Sequence, residues 1–247
     1  MPANKIHIGT SGWLYKHWIG RFYPEGSNAK QQWQFYAGHF DTVEINNSFY
    51  RWPDRSVFEG WYKNSPQNML FSVKASRFIT HMRKLTQPEA PITKLFDNIT
   101  ALRNKLGPVL FQLPPKWKIN VIRLSDFLEA LPKGYRYAFE FRDDTWYHED
   151  IYQLLQQHNC AFCIYQLAGH TSPMKITADF VYVRLHGPTE MKYQGSYNNI
   201  ALKKWAKQIL SWQKEKKDVY FYFDNDQEAY AVFNALTLKT LVKKQVH

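Results

Sequence analysis

The 247-residue sequence predicts an α/β fold in which eight parallel strands alternate with helices. Short runs rich in β-branched and aromatic residues recur along the chain, and segments with apolar residues at three- and four-residue spacing lie between them. No change of composition marks a linker. Parallel strands need crossover connections, and eight such units in about 250 residues form a (β/α)8, or TIM, barrel. We therefore expect a single TIM-barrel domain over residues 1–247.

Each predicted strand is a short apolar run bounded by polar or turn-forming residues. In chain order the strands read KIHIG, TVEIN, LFSVKA, PVLFQL, RYAFEF, CAFCIY, FVYVRLH and DVYFYF. An open doubly wound sheet is the alternative. It would carry a glycine-rich phosphate loop or a point where the strand order reverses, and the sequence indicates neither.

Segments with helical periodicity follow most of the strands. They read AKQQWQFYAGHF, DRSVFEGWYKN, PITKLFDNITALRNKL, VIRLSDFLEALP, HEDIYQLLQQH, NIALKKWAKQILSWQ and DQEAYAVFNALTLKTLV. The stretch QLAGHTSPMKITAD is too short and too rich in helix breakers for a full helix, so we expect one outer helix to be reduced to a turn. Links from strand to helix are longer than links from helix to strand, which favours a pocket at the C-terminal ends of the strands.

The formal net charge of +11 raises the possibility of a nucleic-acid partner. Lysines are densest in residues 202–218 and at the C-terminus, where apolar residues lie between them at helical spacing, and this pattern favours the solvated face of an outer helix. No apolar run approaches the ~18 residues of a membrane span, and the first residues lack a leader pattern. We expect a basic, soluble, cytoplasmic protein with no membrane association, and its oligomeric state is open.

Two cysteines, Cys160 and Cys163, have a C-x-x-C spacing that can indicate redox chemistry or half of a metal site. Residues three apart in a strand point to opposite faces, so these thiols should not meet each other or share one ion. We expect both to be buried in the core.

Alternation within the strands predicts which side chains point into the barrel. One parity is apolar and the other is not, as with Ile6 and Ile8 against His7 and Gly9. The apolar parity must face the helices, which leaves the other parity inward. The inward residues expected at the C-terminal ends of the strands are Glu44, Asn46, Lys74, Gln112, Glu140, Arg142, Arg184, His186 and Asp224.

Six of these inward residues carry a formal charge, and burying even one of them unpaired would cost several kcal/mol. The set is either an inert salt-bridge network or a ligand site, and we favour the ligand site because barrel interiors are ordinarily filled by Val, Ile and Leu. The candidate catalytic residues for acid and base chemistry are Glu44, Glu140, His186 and Lys74. Arg142 and Arg184 are suited to binding anionic groups.

Two of these assignments have alternatives. His186 could equally be a hydrogen-bonded core residue. Glu44, Glu140, His186 and Asp224 could ligate a divalent cation, but Lys74 and the two arginines would repel it, so we predict no metal site.

The segment IGTSGW follows the first strand and places two hydroxyls between glycines. It does not match the G-x-S-x-G pattern of a nucleophile elbow, so we expect a tight turn that faces Thr10 and Ser11 towards the cavity. The loop beyond it is rich in aromatic residues, which either pack as a lid or stack on a planar ligand. We count Thr10, Ser11, Trp13 and Tyr50 among the substrate-binding candidates.

Seven motifs, IGTSGWLYKHWIGRFYP, VEINNSFYRWP, VKASRFITH, FQLPP, FEFRDDTW, VRLHG and YFDNDQEAYAVFNA, together resemble the family called domain of unknown function 72, whose members are TIM barrels. The resemblance places the family's shared polar positions on Glu44, Asn46, Lys74, His81, Gln112, Glu140, Arg142, Arg184, His186 and Asn225. Two departures are Asp224, where the family more often has Asn, and Glu228, where Gly is common. The resemblance implies no reaction.

We therefore expect an enzyme that acts on a small polar metabolite, sugar-like, carboxylated or phosphorylated, by acid and base chemistry. Hydrolase, lyase and isomerase activities all fit this expectation, and no cofactor can be named. One alternative is a nucleic-acid-binding protein or phosphodiesterase that uses the basic surface. The other is a non-catalytic barrel that serves as an interaction surface.

Overall fold

The computed structural model describes residues 5–246, with side chains up to residue 244. Predictions that fall on residues 1–4 and on His247 lie outside the described residues. The strands within this range are β1 (Ile6–Thr10), β2 (Thr42–Ile45), β3 (Leu70–Lys74), β4 (Leu106–Gln112), β5 (Tyr137–Glu140), β6 (Ala161–Leu167), β7 (His170–Thr171), β8 (Phe180–Leu185) and β9 (Asp218–Phe223).

Helices follow most of the strands. They are α1 (Ala29–His39), α2 (Asn47–Tyr50), α3 (Arg55–Lys63), α4 (Glu89–Ile99), α5 (Val121–Glu129), α6 (Glu149–Gln157), α7 (Asn199–Lys214) and α8 (Tyr230–Val246). Short 3-10 turns lie at Lys16–Trp18, Thr100–Lys105, Asp144–Trp146 and Gln227–Ala229, and one turn of π-helix lies at Phe78–Met82. The predicted helix PITKLFDNITALRNKL is shorter than expected, because α4 ends at Ile99 and the 3-10 turn beyond it contains Arg103 at φ 50°.

The chain divides into two compact units. The first consists of Met1–Glu44, Ile164–Met174 and Asp179–His247. In its sheet, β9 pairs in parallel with both β1 and β8. Ser11, just beyond β1, forms a parallel bridge with Glu44 in β2. The inward polar residues of this unit lie at the C-terminal ends of β1, β2, β8 and β9.

The second unit consists of Ile45–Cys163 and Lys175–Ala178. In its sheet, β4 pairs in parallel with β3 and with β5, and the first residues of β6 pair with β5. Gln112 lies directly beside Glu140, each as the last residue of its strand. The C-terminal ends of the strands are again the polar ends.

Parallel strands that alternate with helices give the chain an α/β, TIM-barrel-like fold, as predicted. The expected loss of one outer helix is confirmed. Residues 168–179 contain only the two-residue strand β7, which pairs antiparallel with the end of β6. That the whole chain forms one domain stays a prediction.

Ring contacts confirm the predicted alternation. The apolar parity meets helices: Phe221 contacts Trp205 of α7 at 5.3 Å between ring centroids, and Phe111 contacts Phe127 of α5 at 5.0 Å. Side chains of the other parity contact one another across the sheet: the Thr42 hydroxyl lies 2.7 Å from the phenol oxygen of Tyr222. Period-two alternation therefore separates helix-facing from inward side chains within each unit.

The basic segment that begins at residue 202 lies in α7. Four apolar or small residues of this helix are buried, namely Leu202, Ala206, Ile209 and Trp212. The lysines between them, Lys203, Lys204 and Lys207, are exposed. This confirms the solvated face of an outer helix. None of the helices in residues 5–246 combines the length and apolarity needed to cross a membrane. The expected cytoplasmic location stays a prediction.

Candidate functional site

The inward polar residues form one cluster in each compact unit. The Glu44 cluster, in the first unit, consists of Ser11, Glu44, Tyr182, Arg184, His186 and Asp224. The Glu140 cluster, in the second unit, consists of Phe49, Lys74, His81, Glu140, Arg142 and Cys163. The expectation that the two sets share one pocket stays a prediction.

The Glu44 carboxylate is completely buried and accepts hydrogen bonds at both oxygens. Oε1 accepts from the Ser11 hydroxyl at 2.6 Å and from Arg184 Nη2 at 2.8 Å. Oε2 accepts from the Tyr182 hydroxyl at 2.6 Å and from Arg184 Nε at 3.0 Å. The arginine thus grips the carboxylate through two donors, a strong and directional arrangement. Four donors saturate this carboxylate.

Arg184 also connects Glu44 to the rest of its cluster. Its Nη2 donates to Asp224 Oδ2 at 3.0 Å, and its Nη1 lies 3.3 Å from His186 Nε2. The other ring nitrogen of His186, Nδ1, lies 2.9 Å from Asp224 Oδ2. Both ring nitrogens of His186 therefore lie close to charged side chains.

Two phenols support the Glu44 cluster. The Tyr15 hydroxyl donates to the Ser11 carbonyl oxygen at 2.6 Å. Burial raises the pKa of Tyr15 well above its usual range, and the nearby Asp224, Asp226 and Glu44 carboxylates add to this. Burial and the Glu44 carboxylate likewise raise the pKa of Tyr182. Both phenols therefore stay protonated and act as donors at neutral pH.

The carboxylate at the centre of the Glu140 cluster is that of Glu140 itself, and its partners are nearer to it in sequence than the partners of Glu44 are. Glu140 is completely buried, and Arg142 Nε donates to its Oε1. The Cys163 thiol donates to Oε2 across 3.7 Å, a weak bond. The Arg142 side chain keeps 10% of its surface exposed, whereas that of Arg184 is fully buried. Arg142 therefore keeps a small contact with solvent that Arg184 lacks.

Lys74 and His81 both pack against the same residue, Phe49. The Lys74 ammonium lies 4.2 Å from the centroid of the Phe49 ring, a cation–π distance. His81 meets that ring edge-on at 5.0 Å. Ser48, next to Phe49, donates its hydroxyl to the Lys74 carbonyl oxygen at 2.6 Å, which holds the start of α2 against the end of β3. The aromatic ring thus positions a cation and an imidazole together.

The protonation state of His81 follows from its surroundings. Partial burial is the main cause that lowers its pKa to about 4, and the positive charges of Lys74, Arg77 and Arg142 lower it further, while Glu140 opposes them. The imidazole is therefore neutral at pH 7. Within the cluster the cations Lys74 and Arg142 outnumber the carboxylate Glu140, and Arg77 adds positive charge near His81.

Comparison with known proteins defines the family. The profile described as "Protein of unknown function DUF72" matches residues 7–247. The chain belongs to this family. A curated relative, the UPF0759 protein YunF of Bacillus subtilis, is 28% identical over 96% of this chain and 94% of its own length. Neither description names a reaction.

Solved structures in the same family share the fold. The chain is similar to a DUF72 family protein (TM1631) from Thermotoga maritima, with a TM-score of 0.87, 26% identity and coverage of 97% of this chain and 99% of that one. A DUF72 family protein (EF0366) from Enterococcus faecalis has a TM-score of 0.82 at 20% identity, with coverage of 96% and 95% respectively, and supports the fold alone.

The segment after β1 packs internally. The Thr10 hydroxyl donates to the Gly12 carbonyl oxygen at 2.7 Å and lies 2.9 Å from the Tyr36 hydroxyl of α1. Ser11, the next residue, is the one that bonds to Glu44. The Trp13 ring packs against Trp33 at 4.9 Å. Packing therefore accounts for this part of the aromatic loop.

The remaining substrate-binding candidates lie in varied places. Tyr50 is 71% exposed and contacts Phe49. Asn46 precedes α2 and has a buried Oδ1 without a partner among the described residues. Gln112 is partly exposed beside Glu140. Asn225 is fully buried, and its amide donates to the Gly195 carbonyl oxygen and to Asn234 of α8, so it joins two segments.

Sequence reasoning missed several members of the two clusters. Phe49 was read only as part of a motif, and its role depends on packing. Tyr182 could have been found from strand parity, because it lies two residues before Arg184, whereas no inward residue is predicted in the strand that holds Cys163. The two cysteines are buried and free, as predicted, yet Cys163 reaches Glu140 while burial raises the pKa of Cys160 to about 12.

Two further observations concern metal binding and backbone strain. Among the described residues, no group of three or more His, Cys, Asp or Glu side chains is arranged to hold a metal ion. Glu228, where the resemblance implies a glycine, has φ 54° and ψ 22°, in the left-handed region that glycine adopts most easily. This departure therefore falls at a position with a physical preference for glycine.

Proposed function

We propose that this protein is an enzyme acting on a small, polar, anionic metabolite, such as a carboxylated or phosphorylated sugar-like compound, and that the Glu140 cluster carries out its acid and base chemistry. One observation carries the proposal. A buried carboxylate lies at the end of β5 among an excess of cations, next to a neutral histidine that is partly open to solvent. Positive charge in excess of the buried carboxylate suits an anionic ligand.

The cations would bind the anionic group of the substrate. The planar guanidinium of Arg142, beside Glu140, has the geometry that recognises a carboxylate or a phosphate. The Lys74 ammonium, held over Phe49, adds a compact positive charge. Asn46 and Gln112 remain candidates for contacts to substrate hydroxyls.

His81 and Glu140 would then exchange protons with the substrate. An imidazole with a pKa of about 4 is a weak base at neutral pH. An anion bound by Lys74 and Arg142 would offset the positive charge that lowers this pKa, and would bring it closer to the working pH. Substrate binding would thus activate its own base. Glu140 would serve as the second acid or base group.

We assign the Glu44 cluster a supporting role in this proposal. Glu44 is saturated by four donors, so it is not a ready proton carrier, and His186 lies between Arg184 and Asp224. Their function would be to fix the ends of β1, β2, β8 and β9.

A thermal-shift screen tests binding. Sugar phosphates, sugar acids and the matched neutral sugars are compared on the wild type, on Lys74→Met and on Arg142→Met, with the exposed Lys63→Met as control. We expect stabilisation by one anionic class, its loss in the two cluster variants and its retention in the control. Equal stabilisation by neutral sugars, or unchanged stabilisation in both cluster variants, would contradict the proposal.

Catalysis needs a second measurement on any compound that binds. We expect turnover, followed by NMR, in the wild type and about a hundredfold less or none in Glu140→Gln. Titration of the His81 ring signals should show its pKa rising when inorganic phosphate saturates the site. Binding without turnover would exclude the enzyme and favour the non-catalytic alternative, and a His81 pKa that ignores phosphate would exclude this site.

A further inference from the structure

A groove lies beside α7, where the outer helix after β6 is missing. In its place residues 168–174 form a tight turn, the short strand β7 and chain without regular secondary structure. Ser172 pairs with the edge of β6, since its N–H donates to the Tyr165 carbonyl oxygen at 2.9 Å and its hydroxyl accepts from Tyr165 N at 2.8 Å. Such a segment covers less of α7 than a helix of ~10 Å diameter would.

This groove has a volume of about 490 Å³. Small-molecule sites commonly occupy roughly 300–1,000 Å³. Its apolar wall includes Met174, Ile200 and Trp205, and the first two are 47% and 69% exposed. Exposed apolar side chains grouped around a concave surface indicate a binding site rather than ordinary surface.

Trp205 gives this wall a fixed aromatic face. Its ring meets Phe221 of β9 edge-on at 5.3 Å and is tilted against Trp212 at 6.5 Å. Contacts on the protein side hold the ring in one orientation, while the rest of it lines the groove. A rigid ring of this kind favours ligands with a flat apolar body.

Gln166, in β6, lines the same groove and has an unmet hydrogen-bonding need. Its side-chain Nε2 donates to the Thr171 hydroxyl at 3.1 Å. Its Oε1 is buried and has no partner among the described residues. A buried acceptor without a donor is unfavourable, so a ligand with a hydroxyl or amino group would satisfy it.

The charge of the groove is positive. Among the described residues that line it, Lys204 is the one with a formal charge. The first turn of α7 contains no acidic side chain, so the positive end of the helix dipole is uncompensated there. Asn198 caps that end of the helix, since its side-chain oxygen accepts from Ala201 N. Both the helix end and Lys204 therefore favour an anionic group in the groove.

We infer that this groove binds a small aromatic acid that carries a hydroxyl or amino donor. The ring stacks against Trp205, the donor reaches Gln166 Oε1 and the acid faces Lys204. The inference does not depend on the function proposed for the Glu140 cluster, because none of that cluster's residues lines the groove.

Three matched probes test each element of this ligand. They are 4-hydroxyphenylacetate, its neutral amide, and phenylacetate, which lacks the hydroxyl. Binding is followed by 19F NMR of protein labelled with 5-fluorotryptophan, and the Trp205 signal is assigned with Trp205→Phe. We expect a saturable shift of the Trp205 signal with 4-hydroxyphenylacetate, and about fivefold weaker binding of each of the other two probes.

Variants separate specific binding from general attraction to a basic surface. Lys204→Gln should weaken binding of 4-hydroxyphenylacetate about fivefold and leave the amide unchanged, whereas Lys207→Gln, an exposed lysine on the same helix, should change neither. Gln166→Leu should remove the advantage of the hydroxyl. A Trp205 signal that does not move up to the solubility limit overturns the inference. Equal affinity for all three probes in the wild type also overturns it.

Discussion

Glu44 and Glu140 are both completely buried carboxylates at the C-terminal ends of strands, and each is gripped by an arginine, yet their surroundings differ. Glu44 accepts from a serine, a tyrosine and two guanidinium nitrogens, all of them buried. Glu140 has a partly exposed arginine and a weak thiol donor, with further cations nearby. The donors around Glu44 are all directed at the protein itself, whereas in the function proposed above the cations around Glu140 bind a ligand.

The largest expected effect comes from removing each arginine in turn. Arg184→Met leaves Glu44 and Asp224 buried without their cation, so the free energy of unfolding should fall by about 3–5 kcal/mol. Arg142→Met should cost only about 1–2 kcal/mol, because this side chain reaches solvent and other cations lie nearby. Urea denaturation measures both. Equal losses would show that the two clusters have the same structural role.

An exposed ion pair serves as the control for the two arginine-to-methionine substitutions. Arg21 and Glu228 form an exposed ion pair, and Arg21→Met should lower the free energy of unfolding by less than about 1 kcal/mol. A larger loss would mean that the substitution acts through side-chain packing and that the methionine series needs another control.

Removing the uncharged donor to each carboxylate should give a smaller difference in the free energy of unfolding. Tyr182→Phe removes the hydroxyl that donates to Glu44 Oε2 and should cost about 1.5–3 kcal/mol, as expected for a buried bond to a charged acceptor. Cys163→Ala removes a weak donor to Glu140 Oε2 and should cost about 1 kcal/mol, most of it from lost packing. If the cysteine variant is the less stable one, the Glu140 cluster depends on internal bonds more than we propose.

The pH dependence of stability sharpens the comparison further. The pKa of His81 is about 4 in the folded protein against an ordinary value of 6.5 in the unfolded chain. Between these values the unfolded state binds more protons, so His81 makes stability rise as pH rises through this window and fall as pH drops. We expect His81→Gln to flatten the slope of the unfolding free energy between about pH 4 and 6.5. The exposed His39→Gln should retain that slope, and an unchanged slope in His81→Gln would refute the depressed pKa.

The smallest expected effect concerns the loop beyond Asp224. Glu228→Gly relieves a left-handed backbone conformation and should raise the free energy of unfolding by about 0.5–1 kcal/mol. Glu228→Ala removes the same ion pair with Arg21 without relieving the backbone, so it isolates the conformational part. A glycine variant no more stable than the alanine variant would show that the loop is not strained.

Much of the fold could be predicted because it depends on local patterns. The strand and helix order and the reduced helix after β6 follow from periodicity and from helix breakers in a short stretch. Helix ends were less predictable, as at α4, where the apolar spacing continues beyond Ile99 while the backbone turns at Arg103. The groove beside α7 is a consequence of the reduced helix that becomes visible only in three dimensions.

Of the two clusters, the sequence by itself determined which residues point inward, because strand parity is a local property. The pattern predicts the same position for Glu44 and Glu140, namely an inward side chain at the end of a strand. Only the tertiary structure distinguished them, since the arginine that grips Glu140 lies two residues away while the one that grips Glu44 lies 140 residues away. Hydrogen-bond saturation depends on donors brought together by folding, and no local pattern encodes their distances.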